Sequence, residues 1–194
     1  MRQFNRILWV CMALGILGLG LSCAGTADDG TSAPAITAFT PTQTLVGNTV
    51  VITGTGLSKA TALTFNGVPV TAYTVDSASQ ITATVPAAAS TGYLTVTTPG
   101  GTATSSTSFS VIPAITSISP TRGSSGATVT LTGSGFIGTT RLTFGAQSTV
   151  AYGASFTVLS ANQVAATVPS DAITGPVYLT ASGSTCTGPA FTVE

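Results

Sequence analysis

The sequence predicts an all-β protein: two tandem β-sandwich domains that follow an export signal and a short tether. Three observations predict it. An apolar run stands behind two arginines at the N-terminus, the remainder repeats itself at a spacing near 80 residues, and apolar residues alternate with polar ones inside each copy.

Residues 1–22 read as a signal peptide. Arg2 and Arg6 precede the apolar run from Ile7 to Leu21, which ends in the small residues Ser22, Cys23, Ala24 and Gly25. A membrane-spanning helix needs roughly 20 apolar residues, and this run is shorter and carries three glycines within it. Gly20-Leu21-Ser22-Cys23 resembles the lipobox of bacterial lipoproteins, although Gly20 holds the place where leucine is usual. The resemblance implies that Cys23 is acylated on sulfur and becomes the mature N-terminus. Ala24 after it implies passage to an outer membrane or cell surface. The alternative is ordinary cleavage after Ala27, at Gly25-Thr26-Ala27, which releases a periplasmic or secreted chain. Each buried CH₂ of an acyl chain contributes about 0.8 kcal/mol, so more than one chain makes a stable anchor. Residues 23–33, with Asp28-Asp29-Gly30-Thr31-Ser32 and no apolar periodicity, read as a polar tether.

Residues 34–112 and 113–194 read as two copies of one domain. At a shift of 79, Pro34 to Phe65 matches Pro113 to Phe144 at 16 of 32 positions. At a shift of 83, Thr74 to Thr97 matches Thr157 to Thr180 at 13 of 24. A period of this length suits a small independent β-domain better than a solenoid repeat. Val50 and Ile52, Leu63 and Phe65, Ile81, Ala83 and Val85, and Leu94 and Val96 alternate with polar residues in the first copy. Val129 and Leu131, Leu142 and Phe144, Val164, Ala166 and Val168, and Val177 and Leu179 do so in the second. Such alternation marks half-buried strands, and Asn66-Gly67 and Pro99-Gly100-Gly101 mark turns between them. Strands with one apolar face each bury those faces sheet against sheet.

Each copy resembles the IPT/TIG domain, an immunoglobulin-like β-sandwich. The opening of that family is matched by Pro34, Ile36, Phe39 and Pro41, and again by Pro113, Ile115, Ile118 and Pro120. Gly47, Val50, Ile52, Gly54, Gly56 and Leu57 match its next motif, as do Gly126, Val129, Leu131, Gly133, Gly135 and Phe136. Ala-Thr-Val-Pro at Ala83 to Pro86 and Ala166 to Pro169 completes the pattern. The resemblance implies two tandem immunoglobulin-like sandwiches and leaves function open, because this fold hosts adhesion, receptor and enzyme-accessory roles.

Composition narrows the function. The 194 residues include 5 Lys or Arg, 5 Asp or Glu and no His, with 38 Thr and 21 Ser. Nucleic acid is not an expected partner, since its binding depends on cations that displace counterions from phosphate. No catalytic set is visible: there is no His base, and no nucleophile elbow surrounds any Ser. No cofactor is expected. Asp76 and Asp171 do not occupy equivalent places and belong to no acidic cluster, so no metal site is expected either. Gly54-Thr55-Gly56 and Gly133-Ser134-Gly135 precede no helical pattern and read as strand bends, not phosphate loops.

A non-catalytic, surface-anchored structural, adhesion or binding module is the expected function, with the membrane as one partner and a surface glycan or protein as a possible ligand. The only tryptophan, Trp9, lies in the signal. Tyr178 and Tyr152 are aromatics of the second copy that the first does not repeat, and they are the candidate ligand contacts. Counted back from Phe191 and its match Phe109, Cys186 falls opposite Thr104, which implies a place tolerant of polarity. Lipid attachment is testable directly: labelled fatty acid will enter the wild-type protein and not Cys23→Ala. A mature N-terminus at Asp28 with no label would instead establish secretion.

Overall fold

The computed structural model describes residues 32–145 and 153–194, and every regular element in them is a β-strand. The first copy contains β1 (Ala35–Thr40), β2 (Gln43–Thr44), β3 (Thr49–Thr55), β4 (Ala62–Phe65), β5 (Val68–Pro69), β6 (Tyr73–Ser77), β7 (Gln80–Thr84), β8 (Leu94–Thr98), β9 (Gly101–Thr104) and β10 (Ser110–Val111). The second contains β11 (Ala114–Ser119), β12 (Arg122–Gly123), β13 (Thr128–Ser134), β14 (Thr139–Phe144), β15 (Phe156–Ser160), β16 (Gln163–Thr167), β17 (Gly175–Ala181) and β18 (Ser184–Val193).

In the first copy one sheet runs β1-β3-β7-β6 and the other β5-β4-β8-β9, with β2 and β10 paired in parallel. The second copy pairs β11-β13-β16-β15 in one sheet and β12-β18-β17-β14 in the other. The opening segment of each copy therefore takes part in two sheets. β1 and β11 lie antiparallel to β3 and β13; the chain then passes Pro41 or Pro120, which has no N–H for a ladder, and β2 or β12 pairs in parallel with the last strand.

The residues predicted to face inward do so. Val50, Ile52, Leu63, Phe65, Ile81, Ala83, Val85, Leu94 and Val96 form the first core, closed by Phe39, Leu57 and Phe109. Val129, Leu131, Leu142, Phe144, Val164, Ala166, Val168, Val177 and Leu179 form the second, closed by Ile118, Phe136 and Phe191. Phe65 meets Phe109 edge to face at 5.0 Å between ring centroids, and Phe144 meets Phe191 in the same way at 5.1 Å. Such pairs contribute about 0.5–1.5 kcal/mol beyond the area they bury.

The two Gly-x-Gly motifs are strand bends with separate jobs. A Cβ on Gly54 or Gly133 would run into the carbonyl of Ala35 or Ala114, because β1 and β11 press against the strand there. At that point β1 and β11 each bulge, and Thr37 and Thr116 donate from their hydroxyls to the carbonyls of Thr53 and Thr132. Gly56 and Gly135 take φ of +66° and +71°, the left-handed region where a side chain is strained.

Two buried hydroxyls are satisfied by nearby groups. Thr44 Oγ1 accepts from Asn48 Nδ2 at 2.8 Å. Ser105 Oγ accepts from Leu94 N at 3.0 Å and donates to Thr107 O at 2.8 Å. An unpaired group in either place would cost roughly 1–3 kcal/mol.

With a separate buried cluster in each copy, residues 34–112 and 113–194 are each expected to fold when expressed alone. About 80 residues is small yet sufficient for a sandwich. Urea titration followed by near-ultraviolet circular dichroism will show one cooperative transition for each half. Loss of the transition in either half alone, with its retention in the pair, would contradict this division.

Candidate functional site

With the inner faces filled by aliphatic and aromatic side chains, contact chemistry is left to the outer faces and the loops. In the sheet β5-β4-β8-β9 the outer face carries two cross-strand rows, Ala62–Thr97–Thr102 and Thr64–Thr95–Thr104. The same rows in the second copy are Arg141–Thr180–Thr185 and Thr143–Tyr178–Thr187. Four hydroxyl positions are unchanged. Two differ, and both gain a large functional side chain: Arg141 where the first copy has Ala62, and Tyr178 where it has Thr95.

Local sequence dictates this display. Val177 and Leu179 are wholly buried, so strand alternation turns Tyr178 outward, where it is partly exposed. Arg141 precedes buried Leu142 and stands outward beside Thr180. Directly opposed residues on adjacent strands lie about 5 Å apart and diagonal ones about 7–8 Å, within reach of an aromatic or a guanidinium. Thr180 and Thr185 share a hydroxyl–hydroxyl hydrogen bond at 2.8 Å, as Thr97 and Thr102 do at 3.2 Å in the first copy. Thr143, opposite Tyr178, is 4% exposed. The result is a partly exposed aromatic side chain beside the hydroxyls of Thr180, Thr185 and Thr187, with a cation on its diagonal and Thr143 buried next to it. It suits noncovalent contact with a polar ligand that also has an apolar face.

Of the other sequence candidates, Tyr152 and Cys23 lie outside the described residues, as do the signal peptide and all of the tether except Ser32 and Ala33. Tyr73 donates its hydroxyl to Ala60 O at 3.3 Å and packs against the first core. Tyr93 was not among the candidates, yet it is 51% exposed. Its match in the second copy is Pro176, so the same comparison of copies that singled out Tyr178 would have found it. Asp76 accepts from Thr82 Oγ1 at 2.6 Å and from Gln80 Nε2 at 3.2 Å, which makes it part of its own hairpin. Among the described residues no group of three or more His, Cys, Asp or Glu is placed to hold a metal ion. A depression of about 270 Å³ opens on the other sheet of the second copy, lined by Thr128, Ser155, Phe156, Thr157, Ala165, Ala166 and Thr167. None of these carries a charge.

Strand register corrects the reading of Cys186. It pairs with Leu179, as Ala103 pairs with Val96, so its counterpart is Ala103 and not Thr104. The count from Phe191 fails because the first copy has one more irregular residue between this pair and its closing Phe. Cys186 is therefore an inward, half-buried thiol packed against the second core, and it is free. Burial raises its pKa, because desolvation disfavours the thiolate. Iodoacetamide will accordingly label the folded protein more slowly at neutral pH than the urea-unfolded protein. Cys186→Ala will change stability by less than about 1 kcal/mol, since alanine already serves at the matching place. A folded-state rate equal to the unfolded one would contradict the burial.

The architecture, two sandwiches with a switched opening strand and no regular element but strands among the described residues, defines a tandem immunoglobulin-like β-protein. The chain belongs to the IPT/TIG domain family, whose model matches residues 34–111 and 113–192.

Among solved structures, the surface glycan-binding protein PbSGBP-B from Prevotella bryantii aligns at 16% identity and a TM-score of 0.52, covering 82% of this chain and 42% of that one. SGBP-B of a xyloglucan utilization locus in Bacteroides uniformis aligns at 25% identity and a TM-score of 0.38, covering 82% and 49%. The plexin A4 extracellular region aligns at 22% identity and a TM-score of 0.39, covering 95% and 17%. The chain thus spans less than half of each of these proteins. No curated protein matches it.

Proposed function

We propose that this protein is a non-catalytic binding module, held at a bacterial surface by a lipid on Cys23, that presents the outer face around Tyr178 to a glycan. The observation that carries the reading is the difference between the copies. On one scaffold with one hydroxyl ladder, only the second copy adds an aromatic and a cation, and it adds both to the same six-residue face. A pyranose ring has an apolar C–H face and a rim of hydroxyls. An aromatic side chain covers the first without desolvating the second, and neighbouring threonine hydroxyls and a guanidinium supply hydrogen bonds to the rim.

The tether and the absence of a recognisable catalytic set in the sequence support a passive, displayed module. Release by cleavage after Ala27 would leave the same binding face on a periplasmic or secreted protein.

The test is a glycan array followed by affinity electrophoresis in soluble polysaccharides. Xyloglucan and mixed-linkage glucan are natural first probes, since Bacteroides SGBP-B proteins that align with this chain belong to utilization loci for those polymers. Tyr178→Ala will weaken retention at least about tenfold, the loss of a central aromatic contact, while Tyr178→Phe will keep most of it. Retention unchanged by Tyr178→Ala would remove this face from the binding site.

A further inference from the structure

Beyond being aromatic, the Tyr178 face has a sign. Of its six side chains, Arg141 is charged, the rest are Tyr178 and four threonines, and no carboxylate is among them. This is conspicuous in a chain with 5 Lys or Arg in all, two of which lie in the signal. The other cation of the second copy, Arg122, sits 3.8 Å from Glu194. Asp171 lies in the turn that precedes β17 and not in either row. Arg141 already takes part in an interaction within the chain. Its guanidinium carries five N–H donors in a planar fork.

We infer that this face selects glycans that carry carboxylates, that is, chains of uronic acids. The inference rests on the glycan reading of the face and names its substrate class. The carboxyl carbon of a uronic acid is exocyclic, so a ring covering Tyr178 projects its carboxylate sideways, toward whichever side chain borders the aromatic. Arg141 occupies the diagonal place on the adjacent strand. A planar guanidinium meets a carboxylate through two parallel N–H···O bonds, which are shorter and stronger than bonds to neutral hydroxyls. A ligand without the charge keeps the aromatic contact and loses only this increment, so selection is between acid and neutral forms of one polymer.

Polygalacturonate and its fully methyl-esterified form present the same rings with and without the charge, and they are the probes, with a neutral glucan as reference. Full-length wild-type protein is expected to be retained at least about tenfold more strongly by the acid than by the ester. Arg141→Gln is expected to erase that difference, and Arg141→Lys to restore part of it. In the wild type, 1 M NaCl should cut the preference for the acid, since exposed charge pairs are screened there. This measurement needs no variant to fold.

Equal retention of acid and ester, with both lost in Tyr178→Ala, would overturn the charge selection and leave the glycan face intact. A preference for the acid that survives both Arg141→Gln and high salt would also overturn it. Retention on none of the three polymers would overturn this inference, while the glycan reading is decided separately by the array.

Discussion

The contact between the ring near the end of each copy and the core around it is the joint on which each sandwich depends. Phe109 and Phe191 are fully buried; each meets the ring that ends β4 or β14, Phe65 or Phe144. Phe109 also reaches Phe39, which lies in β1 of the opposing sheet, at 6.1 Å. In the second copy Ile118 takes the place of Phe39, so an aliphatic side chain closes the same gap. Among the described residues no disulfide spans the sheets, and the work falls to close packing of side chains whose removal typically costs about 3–5 kcal/mol for a phenylalanine.

That constraint explains where the copies agree and where they part. Inner positions and bend glycines cannot change without a cavity or a clash, and they match between the copies or differ by a similar apolar residue, as Leu57 and Phe136 do. Outer positions meet water, where a threonine, an arginine or a tyrosine is tolerated with little effect on stability. Thr95 and Tyr178, Ala62 and Arg141, and Asp76 and Leu159 all lie outside the cores. On the edge strand, the hydrogen-bonded carboxylate of Asp76 is replaced by Leu159, 57% exposed, and the hydroxyl of Thr82 by the methyl of Ala165. Duplication thus holds the frame constant and confines divergence to solvent-facing rows.

What was legible in the sequence follows from the same physics. Period-two alternation is a direct consequence of strand geometry, so Val50, Ile52, Val177 and Leu179 could be placed inside, and Tyr178 outside, from spacing alone. Motif positions such as Gly54 and Gly133 were legible as bends because no helix pattern followed them. Cys186 was misplaced for a reason equally physical. An irregular residue in a strand shifts everything after it by one, and nothing in a chain of Ser, Thr and Gly announces which copy carries the extra residue. Tyr93 stands just before β8, outside the alternation that places Tyr178, and only its replacement by Pro176 in the second copy marks it.

The sequence by itself determined the family, the repeat, the inward-facing residues and the poverty of charge, because each of these is local or statistical: a period, a motif or a count. Only the tertiary structure decided which outward residues become neighbours. Arg141 and Tyr178 are 37 positions apart along the chain and meet because β14 pairs with β17 in a register with one bulge at Thr140. Cross-strand register is set by packing between sheets and by bulges, neither of which leaves a mark at the positions it brings together.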